Sequence, residues 1–206
     1  MRVRQHVNPL KSDLLEIAEV PRIVASPGTP IEVELGAAEA HFLIDRARAD
    51  RGTQFVGIEI RRELVGATNV ECQRMGLDHV RSVFANMSVD MSRLFAEASV
   101  YRFFLNFPDP WFKSRQRKRR VIGPGLVREI ARALAIGGEL FVQTDIFGLA
   151  LDAMAALEAE TAAFANAREP WTFLRESPFA AKSRRERQCE HEGARVWRLL
   201  YRRISS

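Results

Sequence analysis

The stretch NFPDPWFKSRQRKRR, residues 106–120, places one carboxylate directly before a run of cations. Asp109 stands between Pro108 and Pro110, which fix the backbone φ angle on both sides and remove two amide donors. The carboxylate is therefore held in one direction, and it loses little conformational entropy when it binds a ligand.

Six cations lie within the eight residues 113–120, which follow Asp109. They are Lys113, Arg115, Arg117, Lys118, Arg119 and Arg120. Removing these six from the 31 basic residues of the chain leaves 25, against 26 acidic residues, so the basic excess is local. A local cluster on an otherwise neutral protein indicates phosphate contacts with a polyanion, because such contacts depend on cations gathered on one face. The alternative is a solvated charge run, which is the commoner meaning of such runs.

Short apolar runs alternate with segments of helical spacing from residue 31 onward. Strands are predicted over residues 31–36, 54–60, 79–85, 100–106 and 139–145, and helices over 38–49, 61–75, 92–98 and 124–135, the last ended by Gly137 and Gly138. After a helix over 148–165, two β-rich runs at 171–177 and 194–204 surround a charged segment. The pattern predicts an α/β, Rossmann-like fold: a mostly parallel sheet with helices on both faces and an antiparallel C-terminal edge.

Composition limits the class of protein. With 206 residues, of which 47% are hydrophobic, one domain is expected over residues 31–206, preceded by an irregular N-terminal arm over residues 1–30. Two distant cysteines and four scattered histidines suggest no metal site. No apolar run approaches the length of about 18 residues that spans a bilayer, and no secretory signal begins the chain. We expect a cytoplasmic protein with no membrane contact and no obligate protein partner.

Polar side chains end every predicted strand. The ends are Glu34 to Gly36, Glu59, Asn86, Asn106 to Asp109, and Thr144 to Asp145. Ligands of open α/β sheets bind beyond the carboxyl ends of the strands, whereas a buried sheet could end its strands with apolar residues or glycine. The pattern therefore predicts a ligand site along this edge.

The first turn indicates what kind of ligand binds. Glu59 lies 23 residues after Gly36, near the spacing of about 20 at which a carboxylate binds the ribose of a nucleotide. The turn GAAEA, however, has Ala38 and Ala40 where a dinucleotide fingerprint keeps glycine. A nucleoside without phosphates, such as S-adenosylmethionine, is more compatible, and Glu34 could neutralise its cationic end. Alternatively, Glu34 and Glu59 only interact with the dipoles of the following helices.

The chain resembles a known family over nearly its whole length. The stretch FPDPW followed by basic residues is similar to the signature of the bacterial tRNA (guanine-N7-)-methyltransferases of the TrmB type. VELG and FVGIEIRRE resemble the first two S-adenosylmethionine motifs of that family, LAIGGELFVQTD resembles its fifth-strand region, and RVWRLLYRR its closing strand. The resemblance implies a class I methyltransferase fold and methylation of guanine N7 in tRNA, at the variable-loop guanosine numbered 46 by tRNA convention.

The resemblance also implies roles for particular residues. Asp109 is the expected catalytic residue, and the expected S-adenosylmethionine site comprises Glu34, Gly36, Glu59, Arg61, Asn86 and Asp109. Expected tRNA contacts are Lys113, Asp145, and the stretch SRRE, which contains Ser183, Arg184, Arg185 and Glu186 and has serine where the family has threonine. Two further departures are Gln116, where histidine is common, and the alanines of the first turn. Alanine can occupy the turn if its φ angle stays negative, so we expect this departure to weaken donor affinity before it abolishes binding.

Two other functions are compatible with parts of the sequence. A tRNA-binding relative with weakened or lost S-adenosylmethionine binding would keep the cations, but it would not need Glu34, Glu59 and Asp109 together. A nicotinamide-dependent oxidoreductase would show a fuller GxGxxG turn and would not need six cations after the fourth strand. The sequence therefore favours the methyltransferase.

Overall fold

The computed structural model describes residues 7–110 and 122–205. Within them the chain forms seven strands and seven helices. The strands are β1 (Ile31–Leu35), β2 (Gln54–Glu59), β3 (Val80–Phe84), β4 (Val100–Asn106), β5 (Leu134–Thr144), β6 (Phe164–Asn166) and β7 (Trp197–Arg203). The helices are α1 (Ser12–Leu15), α2 (His41–Ala49), α3 (Arg62–Arg74), α4 (Met91–Leu94), α5 (Pro124–Ala133), α6 (Phe147–Glu158) and α7 (Arg184–Glu192).

All seven strands form one sheet in the order β3-β2-β1-β4-β5-β7-β6. Strands β1 to β5 are parallel to one another. Strand β7 is antiparallel to β5, and β6 is antiparallel to β7. The predicted fold class is confirmed, including the antiparallel C-terminal edge. Strand order reverses direction between β1 and β4, and ligands of open α/β sheets bind at the carboxyl ends beside such a point.

Successive residues of the central strands pack on opposite faces of the sheet, as strand geometry requires. Val33, Phe103 and Leu140 belong to a core shared with α4, α5 and α6. Phe104 and Phe141 belong to a second core, shared with α2. Both faces of the parallel strands are therefore covered, which explains why these strands are nearly continuous apolar runs.

A row of charged side chains crosses the second face, one from each of four adjacent strands. Glu32 of β1, Arg102 of β4, Glu139 of β5 and Arg202 of β7 are cross-strand neighbours. Arg102 pairs with Glu32 and donates to Glu139 at 2.9 Å through Nε, while Arg202 Nε donates to Glu139 at 3.1 Å. Phe179 covers the row, with its ring centroid 5.0 Å from Cζ of Arg102. Acid and base alternate, so each buried charge has an opposite partner.

Two predictions about the C-terminal third were wrong. The helix predicted over residues 148–165 ends at Glu158, and Phe164 is buried in β6, where it pairs with Arg203 of β7. The run 171–177 does not form a strand, and its one β-bridge joins Leu174 to Arg198. Burial of Phe164 at the sheet edge takes precedence over the helical propensity of the alanine-rich stretch around it.

Helix α7 lies in the segment that was predicted only as charged. Ser183 is its N-cap and accepts a hydrogen bond from the backbone N–H of Glu186 at 3.1 Å, while Gly193 ends it with a φ of 66°. Serine followed three residues later by glutamate is the capping-box pattern. The stretch SRRE is therefore a helix start as well as a family motif.

The glycine pair was also misassigned. Helix α5 ends at Ala133 instead of Ala135, and Gly137 and Gly138 lie inside β5, beside a register shift in its pairing with β4. A Cβ atom at Gly138 would lie 2.8 Å from the carbonyl oxygen of Tyr101, so close backbone approach explains this glycine.

Residues 7–30 contact the loops that follow β3 and α4. The side-chain amide of Asn86 donates to the carbonyl oxygens of Pro9 at 2.8 Å and Leu14 at 2.9 Å. The backbone N–H of Ile23 donates to the carbonyl of Leu94 at 2.8 Å. The segment before β1 thus lies close to the carboxyl end of β3.

We expect the substitution Arg102→Met to lower the free energy of unfolding by about 3 kcal/mol, because it leaves the buried carboxylates of Glu32 and Glu139 with one partner each. The matched control is Arg74→Met, which breaks an exposed pair with Glu71 and should cost less than about 1 kcal/mol. Urea denaturation measures both values. Equal losses would show that the row of charges does not stabilise the sheet.

Candidate functional site

A cavity of about 450 Å³ opens at the carboxyl ends of β1, β2, β3 and β4. Its walls come from the turn after β1, the ends of β2 and β3, the segment 105–109, and the start of α7. The described part of the segment before β1 contributes Val7 and Pro9. The cavity therefore lies where the polar strand ends of the sequence predicted a ligand.

Glu34 is a buried carboxylate at the end of β1, with only 4% of its surface exposed. Its Oε1 atom accepts a hydrogen bond of 2.7 Å from the side-chain amide of Asn106. Within residues 7–110 and 122–205, its Oε2 atom has no hydrogen-bond partner. Burial raises the pKa of Glu34 to about 8, against the lowering effect of the Asn106 hydrogen bond and with a smaller contribution from the charge of Glu59. A cationic ligand group beside Glu34 would stabilise its ionised form.

Glu59, at the end of β2, holds the first turn in place. Its Oε2 atom accepts from the backbone N–H of Ala38 at 2.8 Å, and its Oε1 atom accepts from the backbone N–H groups of Ile60 and Arg61 at 2.9 Å. The guanidinium of Arg61 also donates to both oxygens, at 2.8 and 3.0 Å. Both oxygens are thus engaged, so a ribose hydroxyl reaches Glu59 only where Arg61 gives up a contact.

The alanines of the first turn have a backbone conformation that is unfavourable for alanine. Ala38 and Ala40 have φ angles of 49° and 53°, in the left-handed region that favours glycine. Gly36 has a φ of 77°, so the turn needs the left-handed conformation at three positions. The condition under which alanine fits without strain is therefore not met, and the hydrogen bond from Ala38 to Glu59 and the start of α2 at His41 together fix the path of the turn.

Asp109 lines the cavity together with Phe107 and Pro108. Phe107 has a φ of 48°, a rare conformation for a bulky residue, and its N–H donates to the carbonyl of Gln143 at 2.8 Å. Hydrogen bonds to Glu59 raise the pKa of Arg61 against the effect of burial, and the charges of Glu39 and Asp109 raise it further. Asp109 and Glu59 therefore both act on Arg61 at the same cavity.

Asn86 lies at the cavity wall, but its side chain is already engaged. Both hydrogen bonds to Pro9 and Leu14 come from its amide nitrogen, and its Oδ1 atom accepts from the backbone N–H of Ser88 at 3.0 Å. In this conformation Asn86 joins the segment before β1 to the cavity wall and does not present a free side-chain group to a ligand.

A line of buried polar side chains joins Glu34 to helix α7. Asn106 of β4 donates to Glu34 and accepts from the side-chain amide of Gln143 of β5 at 3.0 Å. Gln143 also donates to Glu186 at 3.0 Å, and Glu186 accepts from Arg198 of β7 at 2.8 Å. We refer to these five side chains as the polar line. Asn106, Gln143 and Arg198 were not among the predicted site residues, although a polar pair inside the apolar runs of β4 and β5 was a signal for them.

The structure corrects the expected role of Glu186. This residue is completely buried, its carboxylate is paired with Arg198, and it does not line the cavity. It supports the base of α7 and offers no open acceptor for a guanosine. Ser183 does line the cavity, but its hydroxyl accepts the N–H of Glu186 as the helix cap.

The other predicted substrate residues fall into two groups, one of which the structure describes. Arg184 and Arg185 line the cavity, and Arg185 forms an ion pair with Asp145, which does not line it. The hydrogen bond that Arg185 donates to Asp145 raises the pKa of Arg185. Lys113, Arg115, Arg117, Lys118, Arg119 and Arg120 lie outside the described residues.

The described residues contain neither a candidate metal site nor a candidate membrane span. Among the described residues no group of three or more His, Cys, Asp or Glu side chains could hold a metal ion. In the same part of the chain, no helix is long and apolar enough to cross a membrane.

The residues present fit a cationic nucleoside such as S-adenosylmethionine. The unpartnered oxygen of Glu34 suits a positive group, and Gly36, whose φ of 77° favours glycine, brings the backbone of the first turn to the cavity wall. The sheet order and the cavity at its carboxyl edge are those of the class I methyltransferase fold.

Comparison with known proteins identifies the family. Residues 28–199 match a family model described as "Putative methyltransferase". The chain is 35% identical to a tRNA (guanine-N(7)-)-methyltransferase of Microcystis aeruginosa, with 98% of each chain covered, and 34% identical to one of Trichormus variabilis, covering 100% of this chain and 97% of the relative. The chain belongs to the tRNA (guanine-N7-)-methyltransferase family. 

A solved structure supports the fold independently. The geranyl diphosphate C-methyltransferase of Streptomyces coelicolor, determined with S-adenosyl-L-homocysteine, superposes with a TM-score of 0.55. It is 14% identical, and the match covers 87% of this chain and 73% of that one.

We expect Ala38→Gly to raise the free energy of unfolding by up to about 1 kcal/mol, because glycine removes the penalty of a left-handed alanine. The matched control is Ala159→Gly, at an exposed helix end with a φ of −76°, which should destabilise by about 0.5 to 1 kcal/mol. Urea denaturation of both variants tests the conformation of the turn. A loss of stability in Ala38→Gly equal to that in the control would contradict it.

Proposed function

We propose that this protein transfers the methyl group of S-adenosylmethionine to N7 of a guanine in tRNA, at the variable-loop guanosine numbered 46. The observation that carries the proposal is the meeting of Glu34 and Asp109 at one cavity, in a chain whose relatives over nearly the full length are named for this reaction. The alternative, a tRNA-binding relative without donor binding, is not favoured, because the carboxylates of the donor site are all present and buried or positioned at the cavity.

In this proposal the first turn and the ends of β1 and β2 hold the methyl donor. Glu34 faces its cationic end, Gly36 allows the backbone to approach closely, and Glu59 receives its ribose after Arg61 shifts. S-adenosylmethionine bound there would supply an electrophilic methyl carbon to the lone pair of N7. Asn86 contributes by holding the segment before β1 against the cavity.

Asp109 is the proposed catalytic residue. Guanine N7 has a lone pair and no proton, so the enzyme needs no general base and has to align the reacting atoms. Methylation moves positive charge onto the purine, and hydrogen bonds from its N1–H and amino edge to the Asp109 carboxylate strengthen as that charge develops. The two flanking prolines keep the carboxylate in position, and the unusual φ of Phe107 directs the chain into the cavity.

Two groups of cations are proposed to bind the tRNA backbone. Arg184 and Arg185 form one rim, with Asp145 orienting Arg185 and Ser183 fixing the start of α7. The run from Lys113 to Arg120 supplies further phosphate contacts. 

The proposal extends to the domain organisation, the metal and partner requirements, and the cellular compartment. The chain consists of an N-terminal arm, residues 1–30, and a single methyltransferase domain, residues 31–206. The reaction uses no metal ion, and the enzyme needs no partner other than tRNA. It acts in the cytoplasm, a reducing compartment in which the buried thiols of Cys72 and Cys189 stay free.

Incubation with labelled S-adenosylmethionine and unmodified tRNA, followed by mapping of the methylated nucleoside, tests the function. We expect N7-methylguanosine at position 46 in the wild-type reaction. Asp109→Ala should lower kcat by about 10²- to 10³-fold while changing the Kd for S-adenosylmethionine by less than about threefold, because its hydrogen bonds strengthen only as the purine becomes charged.

Asp78→Ala is the matched control, because Asp78 is an exposed aspartate just before β3, at the opposite edge of the sheet. It should leave both constants unchanged. If Asp109→Ala loses turnover and donor affinity equally, Asp109 only binds the donor and has no separate catalytic role. Binding of tRNA by the wild-type protein without any transfer would support the alternative.

A further inference from the structure

An aromatic cluster lies beside the cavity rim and is not used by the proposed reaction. Its members are Phe147 at the start of α6, Phe173, and Trp197 at the start of β7. The ring centroids of Phe147 and Trp197 are 4.5 Å apart, and those of Phe173 and Trp197 are 5.0 Å apart. Arg195 stacks on the same group, with its Cζ atom 3.8 Å from the Trp197 ring centroid. We call these four residues the aromatic platform.

The chain places the aromatic platform at the same edge of the sheet as the cavity. Trp197 pairs with Thr144, the last residue of β5, and Phe147 follows Asp145 by two residues. Asp145 is paired with Arg185, which lines the cavity. A continuous surface therefore runs from the cavity through this ion pair to the platform.

The platform is unusually open for a cluster of aromatic rings. Phe147 is 48% exposed, and the guanidinium of Arg195, which covers one side of Trp197, is itself exposed. Burial in the core accounts for Phe173, which packs against the larger hydrophobic cluster, but not for Phe147. A large exposed apolar side chain next to a stacked cation marks a binding surface for something both flat and anionic.

We propose that the aromatic platform stacks an unpaired base of the substrate tRNA, with Phe147 against the base and Arg195 beside its phosphate. This inference rests on the proposed function and adds a second contact point to it. Aromatic rings and arginine planes are the groups on which unstacked RNA bases are bound. A target guanine that leaves its stack exposes a neighbouring base, and a platform near the cavity rim receives such a base without reading its sequence.

The test is the equilibrium binding of unmodified tRNA to Phe147 variants at fixed salt. Phe147→Ala and Phe147→Leu should raise the Kd about 5- to 100-fold, because both lose the ring, whereas Phe147→Tyr should stay within about twofold of the wild type. The Kd for S-adenosylmethionine and the melting temperature should not change. An unchanged Kd for tRNA in Phe147→Leu would show that the site needs only apolar packing, and it would overturn the proposal.

Tyr101→Ala is the matched control, since Tyr101 is 45% exposed and lies near the amino end of β4, away from the cavity. It should leave tRNA binding unchanged, and an equal loss would overturn the assignment. Sedimentation of the free protein tests whether a second copy of this chain occupies the aromatic platform instead. Self-association of the wild type that Phe147→Ala abolishes would make the platform a protein interface and overturn the proposal. Failure of wild-type protein to bind tRNA at all would instead remove the proposed function itself.

Discussion

The site depends on one physical constraint: a carboxylate, Glu34, is buried at the carboxyl edge of a parallel sheet and must be satisfied there. An isolated buried charge costs several kcal/mol, so burial favours the protonated form of Glu34 and the fold adds the polar line beside it. Asn106 donates to Glu34, Gln143 donates to Asn106, and Glu186 and Arg198 complete the series. One carboxylate oxygen of Glu34 remains without a partner among the described residues, which leaves it available to a ligand.

The polar line also explains how distant segments form one cavity. Its members come from β1, β4, β5, α7 and β7, so the hydrogen bonds that support Glu34 also fix the base of α7. The exposed turn of that helix carries Arg184 and Arg185 to the cavity rim. The donor side and the proposed RNA side are therefore built on the same buried contacts, and a change at Gln143 would disturb both.

Parts of the architecture could be predicted because they follow from local patterns. The five parallel strands have continuous apolar runs, and their polar ends indicate the ligand edge. Prolines on both sides of Asp109 and the cations after it gave the strongest functional signal. Helix α7 was missed although Ser183 and Gly193 are standard helix signals, because the charges between them indicated only a solvated segment. Phe164 was assigned to a helix because no local pattern shows that β7 will pair with it.

The remaining features depend on tertiary contacts and cannot be read from spacing. The positive φ angles of Ala38 and Ala40 follow from hydrogen bonding to Glu59 and the position of α2, and alanine gives no local sign of them. The burial of Glu186 depends on Gln143 and Arg198, which are distant in sequence from each other. The motif resemblance assigned Glu186 to the tRNA contacts, and only its packing reveals that it supports the helix from within.

Proton release on binding of S-adenosylmethionine tests the central role of Glu34 most directly. Because burial raises the pKa of Glu34 to about 8, its carboxyl is protonated in the free protein at about pH 6.5. A cationic ligand lowers that pKa, so binding should release close to one proton per site, and affinity should rise with pH until about 8 and then level off. Calorimetry in buffers of different ionisation enthalpy measures the release, which should be absent in Glu34→Gln. Equal release by the wild-type protein and this variant would contradict the account.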